Sequence, residues 1–392
     1  MGNYTVQGGH SLNLGNDTSN DNITVLGPSG TVTAGSGNDS VNALGNAKVT
    51  LGSGKDTVNV HGVGQVTVGS GNDSITVGSG TVSAGNGSDY VSVGGSGSVN
   101  VGTGSGTVGN STIIFGSNAT VTAGNGSDSV SVGGSGKITL GSGNDTVKVV
   151  GAGSVTAGGG NDSITIASGT VSVGSGTDTV SIAGNATLTA GNGNDSVSVG
   201  GSGKITLGSG SDTITLGSGS DTLVAAGHAT VAGSLGSATI VGGQLQYTSG
   251  GATLSALSGA ATLMGGSGSN RFIGGTGSVL MQSGTGNDTF VGGGGTGTDT
   301  MVGALATTNV FEVVSAGSTA RTTANPDHII QNFVHGHDTL YVEGHSYSYL
   351  LSHHDITVSG GNTYITLDGG KTVIELQGYT ALSASDITTT KS

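Results

Sequence analysis

The stretch Gly141-Ser142-Gly143-Asn144-Asp145-Thr146-Val147-Lys148-Val149-Val150-Gly151-Ala152-Gly153-Ser154-Val155-Thr156-Ala157 decides the fold. It holds two alternating aliphatic pairs, Val147/Val149 and Val155/Ala157, each entered through a Gly-rich turn. Alternation over so few residues makes a short strand with one inward face. At Gly158 the pattern starts again, and Asp162 stands 17 residues after Asp145. The string Gly-x-Gly-x-Asp occurs thirteen times, ending at Asp39, Asp56, Asp73, Asp89, Asp128, Asp145, Asp162, Asp178, Asp195, Asp212, Asp221, Asp288 and Asp299. The steps are 17, 17 and 16 up to Asp89, and 17, 17, 16, 17 and 17 from Asp128 to Asp212. Between the two runs, Gly102-Thr103-Gly104-Ser105-Gly106 reads as a worn copy with Gly in place of Asp, followed by an insertion around Ile113-Ile114-Phe115. Asp21, followed by Asn22-Ile23-Thr24-Val25, reads as a worn first copy.

Two strands and two turns per period make one coil of a solenoid. Glycines supply the positive-φ conformations that let each corner bend. Stacked about 4.8 Å apart, the coils form two parallel sheets around a thin aliphatic core. No coil can bury its aliphatics alone, so stacking is obligatory. The expected fold is an all-β, right-handed parallel β-roll of ~17-residue coils. The regular roll is expected over 1–222, an irregular continuation over 223–303, and a β-rich capping region over 304–392. Strands are expected at Val310–Val314, Thr339–Val342, Thr363–Leu367 and Thr372–Leu376, where large side chains can close the roll.

Composition agrees. Of 392 residues 82 are Gly, with 8% charged, 3% aromatic, no Cys and two Pro. That excludes a disulfide scaffold, a Cys-ligated metal site and a coiled coil, and the lack of a strict every-third Gly excludes collagen. A Gly/Ser/Thr-rich chain invites disorder, but Val, Ile and Thr recur at fixed intervals. A helical reading fails, since each Gly costs up to ~1 kcal/mol relative to Ala in a helix. The net charge of -14 disfavours nucleic acid as a partner. No stretch has the run of apolar residues a membrane span needs, and the N-terminus lacks a basic-then-apolar leader, which by itself reads as cytoplasmic.

In a coil of constant length each Asp falls on one corner and stacks over the next. Carboxylates about 5 Å apart repel by roughly 3 kcal/mol at an effective dielectric near 20. A divalent hard cation between coils converts that repulsion into cross-linking. Ca²⁺ suits best, because it takes six or more oxygens and mixes carboxylates with carbonyls. The expected ligands are Asp21 and the thirteen motif aspartates, with backbone carbonyls near Gly35, Gly37, Gly52, Gly54, Gly69, Gly71, Gly141, Gly143, Gly158, Gly160, Gly191 and Gly193. The alternative is an Asx-type turn in which Asp caps local N–H groups. The opposite turns, such as Gly133-Gly134-Ser135-Gly136 and Gly200-Gly201-Ser202-Gly203, lack a carboxylate. One row of ions is therefore expected over residues 30–215, with Asp221, nine residues past Asp212, on the other edge.

The repeat resembles the RTX (repeat-in-toxin) nonapeptide, Gly-Gly-x-Gly-x-Asp-x-U-x with U aliphatic, over roughly residues 15–300. That resemblance implies a calcium-loaded parallel β-roll. A regular RTX roll carries Asp on both edges, which this chain does not. The stretches Asp327-His328-Ile329-Ile330-Gln331-Asn332-Phe333, Gly336-His337-Asp338-Thr339-Leu340, Tyr364-Ile365-Thr366-Leu367 through Leu376-Gln377-Gly378-Tyr379, and Leu382-Ser383-Ala384-Ser385-Asp386-Ile387 resemble the C-terminal region of that family. The resemblance implies an uncleaved type I secretion signal, hence export by that machinery, and overturns the cytoplasmic reading. Binding energy is then folding energy: the repeats stay unfolded in low cytosolic Ca²⁺ and fold outside.

Catalysis is not expected. The chain has three Glu, no Cys and no Gly-x-Ser-x-Gly elbow with partners. His335-Gly336-His337-Asp338 and His353-His354-Asp355 are the nearest to zinc or general-base chemistry, without His-Glu-x-x-His spacing. The Gly-x-Gly strings precede strands, so they are not dinucleotide fingerprints. Two functions remain: a secreted calcium-binding structural protein that polymerises with itself, end to end, into a filament, matrix or surface layer; or an ice-binding or surface-adhesion module. The second would use an outward ladder on the Asp-free sheet: Thr33, Thr50, Thr67, Ser83, Asn100, Thr122, Thr139, Thr156, Ser172, Thr189 and Thr206. Against it, Lys48, Gln65, Lys137 and Lys204 break the adjacent column.

Overall fold

The computed structural model describes residues 1–102, 109–217, 219–233, 237–247, 251–256, 260–295, 297–313 and 322–391. The chain divides into two compact units, Met1–Val197 and Ser198–Ser392. Each is a parallel β-solenoid with stacked coils, as the period requires.

In the first unit each coil gives one strand to each of two faces. On the face after the Asp corner, Val41 pairs with Val58, Val58 with Ile75, Ile75 with Val91 and Val91 with Ile113. On the other, Val49 pairs with Val66, Val66 with Val82 and Val82 with Val99. These inward side chains are at most 2% exposed. Burying each contributes roughly 1.5–3 kcal/mol, and the alternate residues face water.

The 16-residue coils show which part of the period tolerates change. Strands Thr57–Thr67 and Ser74–Ala84 run through the corner opposite the Asp, and their register shifts there: Val60 pairs with Val77, then Val63 with Ser79. The same shift separates Val149–Ile166 from Ala152–Ser168. The missing residue is absorbed at the Asp-free corner, so the Asp corner keeps its geometry.

The irregular coil corrects the sequence reading. Of the supposed worn copy, residues 103–106 lie outside the described residues. Ile113-Ile114-Phe115 is no insertion, because it pairs in register with Val91-Ser92-Val93 and with Val130-Ser131-Val132. The true corner is Gly109-Asn110-Ser111, one period before Asp128, with Ser111 in the Asp position. Its aliphatic alternation extends the stack, and the extra residues precede it.

In the second unit the parallel pairing continues, for example Ala238 with Ala252, Arg271 with Thr289, and Val310 with Thr339. Aromatics replace Val on the inner face. Phe272, Phe290 and Phe311 are fully buried and stack at 4.9 and 5.0 Å, continued by Phe333 and Tyr379. The expected C-terminal strands form at Val310–Val313, Thr339–Val342, Asn362–Leu367 and Thr372–Gln377, with Val314 outside the described residues. Thr372–Gln377 pairs parallel with His328–Gln331 and antiparallel with Asn362–Leu367, which pairs antiparallel with Ile356–Ser359. That reversal ends the parallel run on this face, while on the other Thr339–Val342 pairs parallel with Ile387–Thr388. A six-residue helix, Tyr347–Ser352, is capped by Ser346. Among the described residues no helix is long and apolar enough to cross a membrane.

The motif glycines are not equivalent. Gly160 has φ +131°, and a Cβ there would lie 2.0 Å from the Gly143 carbonyl oxygen one coil earlier. At Gly159 the nearest atom is the Ser175 hydroxyl, 3.5 Å away. Gly160→Ala should therefore lower stability by at least ~1–3 kcal/mol, whereas Gly159→Ala should be nearly neutral. Denaturant unfolding of the two variants checks this, and equal effects would contradict the close stacking of corners.

Candidate metal centre

The corner is built from side chain to backbone. The main-chain N–H of Asp39 donates to Oδ1 of Asp56 at 2.9 Å, Asp56 to Asp73 at 2.8 Å, and Asp73 to Asp89 at 3.0 Å. Asp128, Asp145 and Asp162 donate likewise to Asp145, Asp162 and Asp178 at 2.8–2.9 Å. Asp21 and Asp178 join through Asp39 and Asp195. Each carboxylate thus reaches back one coil. This is capping by Asp, but not the local cap of an Asx turn, because donor and acceptor lie 16–18 residues apart. At the irregular coil Ser111 keeps the pattern, its N–H donating to Asp128 at 2.7 Å and its hydroxyl accepting from Asp89 at 3.4 Å.

The second oxygen is the notable one. The aspartates of this row are at most 2% exposed, and Oδ2 of Asp21, Asp39, Asp56, Asp73, Asp89, Asp128, Asp145, Asp162 and Asp178 is buried with no protein partner. A buried polar atom without a partner is costly, and a charged one more so. Burial pushes the carboxyls of Asp56, Asp73, Asp89, Asp128, Asp145 and Asp178 up to about 6; the donated N–H opposes this. Neighbouring carboxylates raise Asp56 and Asp145 further.

These oxygens fit a hard divalent cation in kind: anionic, buried, one per coil and otherwise unsatisfied. Four of the expected carbonyl ligands also serve the backbone ladder. Those of Gly35, Gly52, Gly69 and Gly141 accept the N–H of the first motif glycine one coil on, at 2.9–3.1 Å. Those of Gly37, Gly54, Gly71, Gly143 and Gly160 point at the next coil's second motif glycine, where a Cβ would come within 1.5–2.0 Å. Gly158 presents its carbonyl to Gly174, where a Cβ would lie 1.9 Å away; Gly191 and Gly193 occupy the equivalent corner one coil later. Among the described residues no group of three or more His, Asp or Glu gathers around one point. A cation in the row would meet the unpartnered Oδ2 atoms of the aspartates.

A second ladder escaped the sequence reading. At several coils the residue before the Asp reaches forward: Asn38 Oδ1 accepts from Lys55 N–H at 2.7 Å, Asn144 from Asn161 at 2.7 Å, and Asn161 from Thr177 at 2.8 Å. Ser127 does the same for Asn144 at 3.1 Å. The signal was the recurrence of Asn or Ser just before Asp.

In the second unit Asp212 stands level with Ala229. Asp221 lies on the other edge, as expected, level with Ala238 and accepting the N–H of Gly203 at 2.7 Å. Asp288 accepts from Asn270 at 2.6 Å. Asp299 is level with His328, whose Nδ1 lies 3.7 Å from its Oδ2, and burial pushes Asp299 up to about 7. Of the histidine candidates, His335 Nδ1 meets the buried Asp386 at 2.7 Å, while Asp386 also accepts from Tyr379 and Ser383. Asp338 is spent on the N–H groups of Asn309 and Val334, and His353 stacks on Tyr349 at 3.9 Å. The outward ladder is in register from Thr33 through Thr50, Thr67, Ser83, Asn100, Thr122, Thr139, Thr156 and Ser172 to Thr189. Thr206, in the second unit, is level with Val224.

The raised carboxyls set a pH dependence. A folded value above the unfolded one favours the protonated fold: the stabilisation is full below about pH 4 and is lost as pH rises through about 6. Chelator-treated protein should therefore melt higher near pH 4.5 than near pH 7.5. A melting temperature that instead climbs with pH would show the acids to be satisfied without proton or metal. No family model matches this chain and no curated protein matches it.

Proposed function

We propose that this chain is a secreted, RTX-type calcium-binding structural protein that folds on binding Ca²⁺ and assembles with itself outside the cell. The observation that carries the reading is the row of buried Oδ2 oxygens without protein partners in the first unit. Bound Ca²⁺ would supply positive charge between successive carboxylates, offsetting both their burial and their repulsion. The chain's own part is to hold those oxygens in line, which the Oδ1–backbone bonds and the Gly corners do. With binding coupled to folding, low cytosolic Ca²⁺ keeps the chain unfolded for type I export, and higher Ca²⁺ outside condenses it. The C-terminal resemblance supports that route.

Self-assembly has its own support. Strands Gly2–Gln7 and Ser11–Leu14 each pair on one side only among the described residues. Their inward Tyr4, Leu12 and Leu14 are half-buried, whereas Ile23, Val25 and Val32 behind them are at most 2% exposed. An edge with unpaired N–H and C=O groups recruits further strands, and the product is an extracellular filament, matrix or surface layer of the kind found in biofilms. The in-register Thr column favours one second reading, ice or surface binding. That reading is weakened by Lys48 and Gln65 in the adjoining column, level with Thr31 and Thr81.

Calcium-titrated circular dichroism with light scattering, followed by electron microscopy with and without EGTA, tests the proposal. Added Ca²⁺ should raise β-structure and then scattering, and EGTA should reverse the first. Monodisperse monomers in millimolar Ca²⁺ would refute the polymer, and activity in an ice-recrystallisation assay would promote the second reading.

A further inference from the structure

The buried ladder of the second unit is chemically different from that of the first. Ala252 N–H donates to Oδ1 of Asn270 at 3.1 Å, Asn270 to Asp288 at 2.6 Å, Asp288 to Asn309 at 3.4 Å, and Asn309 to Asp338 at 2.7 Å. The backbone bond is that of the first unit, but amide and carboxylate alternate. Both asparagines are at most 2% exposed, so their amides act in the same buried corner. Asn270 Nδ2 donates to Asp288 Oδ1 at 3.1 Å and to the Gly268 carbonyl at 3.0 Å. Asn309 Nδ2 donates to Asp338 Oδ1 at 3.1 Å and to the Ala304 carbonyl at 3.3 Å.

Two consequences follow from elementary electrostatics. First, no two carboxylates are adjacent along these four corners, so the repulsion that accumulates in an all-Asp column is absent. The causes that raise Asp288 accordingly include burial but no neighbouring acid. Second, each amide adds an N–H donor to the carboxylate beside it, on top of the backbone N–H that the carboxylates from Asp39 to Asp178 also accept. Asp338 is satisfied on both oxygens, Oδ2 accepting from Val334 at 2.9 Å. Oδ2 of Asp288 is buried without a protein partner, a single orphan beside neutral groups rather than one of a row.

We propose that the Asn270–Asp288–Asn309–Asp338 ladder holds its coils together without a cation, unlike the carboxylate-only ladder of the first unit. This rests on the calcium reading of that ladder. The two asparagines act as built-in substitutes for the metal, supplying donors where it would supply charge.

Hydrogen exchange read by mass spectrometry on the full chain, in Ca²⁺ and in EGTA, tests this. In EGTA, peptides covering Ser40–Ala43 through Thr179–Ile182 should lose protection, while those covering Arg271–Ile273, Thr289–Val291 and Val310–Val313 should keep it. Loss in both regions overturns the inference and leaves the calcium reading standing; loss in neither overturns both. A double variant, Asn270→Asp with Asn309→Asp, should make protection of those three strands depend on Ca²⁺, and protection that stays independent of Ca²⁺ overturns the inference. Should that variant fail to fold, the converse pair Asp56→Asn and Asp145→Asn in the first unit decides. Strands Thr57–Thr67 and Thr146–Thr156 should then retain protection in EGTA, and no gain there rejects the amide as a substitute for metal.

Discussion

The hydrogen bond from one aspartate's main-chain N–H to the carboxylate of the next coil's aspartate underlies the rest of the first unit. A solenoid corner turns backbone donors along the axis, where a sheet ladder no longer pairs them and burial makes them expensive. Asp39, Asp56 and Asp73 meet that demand with a side chain from the coil ahead. Asn38, Asn144 and Asn161, one residue earlier, meet it from the coil behind. The two ladders pull in opposite directions on adjacent residues, so a coil is tied to both neighbours at one point. The same tie stacks carboxylates in a dry corner. Cohesion and charge are therefore produced by one arrangement and cannot be separated.

Much of this was legible in the chain. Period, strand pairs, inward faces and the alignment of Asp all follow from a repeat near 17 residues, because a side chain's face is set by parity and its corner by count. Asp221 on the opposite edge followed from a step of nine alone. Ser111 did not, because Ser at an Asp position keeps the hydrogen bond while erasing the charge that marks the motif. The hydrogen bonding of the glycine carbonyls was not legible either. Counting oxygens near a turn does not say which already accept an N–H, and those of Gly35 and Gly52 do. Coil length likewise hides where a residue is lost, and only pairing reveals the slip between Val60 and Val63.

The second unit shows what changes when the repeat decays. As the Gly-x-Gly-x-Asp string thins out, the inner face gains stacked rings at Phe272, Phe290 and Phe311. A Phe buries far more apolar surface than a Val, and stacked rings add to it. Cohesion thus moves from corner to core. The antiparallel turn-back at Asn362–Gln377 runs through Gly360-Gly361 and Asp368-Gly369-Gly370, all at positive φ, so glycine there reverses the chain instead of carrying it round a coil.

Hydrogen bonding alone does not account for aspartate in the first unit. An asparagine makes the same bond through Oδ1, as Asn270 and Asn309 do, with no charge to bury and an extra donor to spare. In a dry corner Asp is the worse choice for stability unless something positive meets its second oxygen, since burial and like neighbours both penalise the ionised form. Aspartate nonetheless fills corner after corner from Asp39 to Asp89 and from Asp128 to Asp195, and each of these side chains is buried. What Asp offers and Asn lacks is charge, and a column of it is useful only where a cation or a proton arrives to neutralise it. At neutral pH protons are scarce, and that unrelieved penalty on the ionised row is what supports the divalent cation we propose for it.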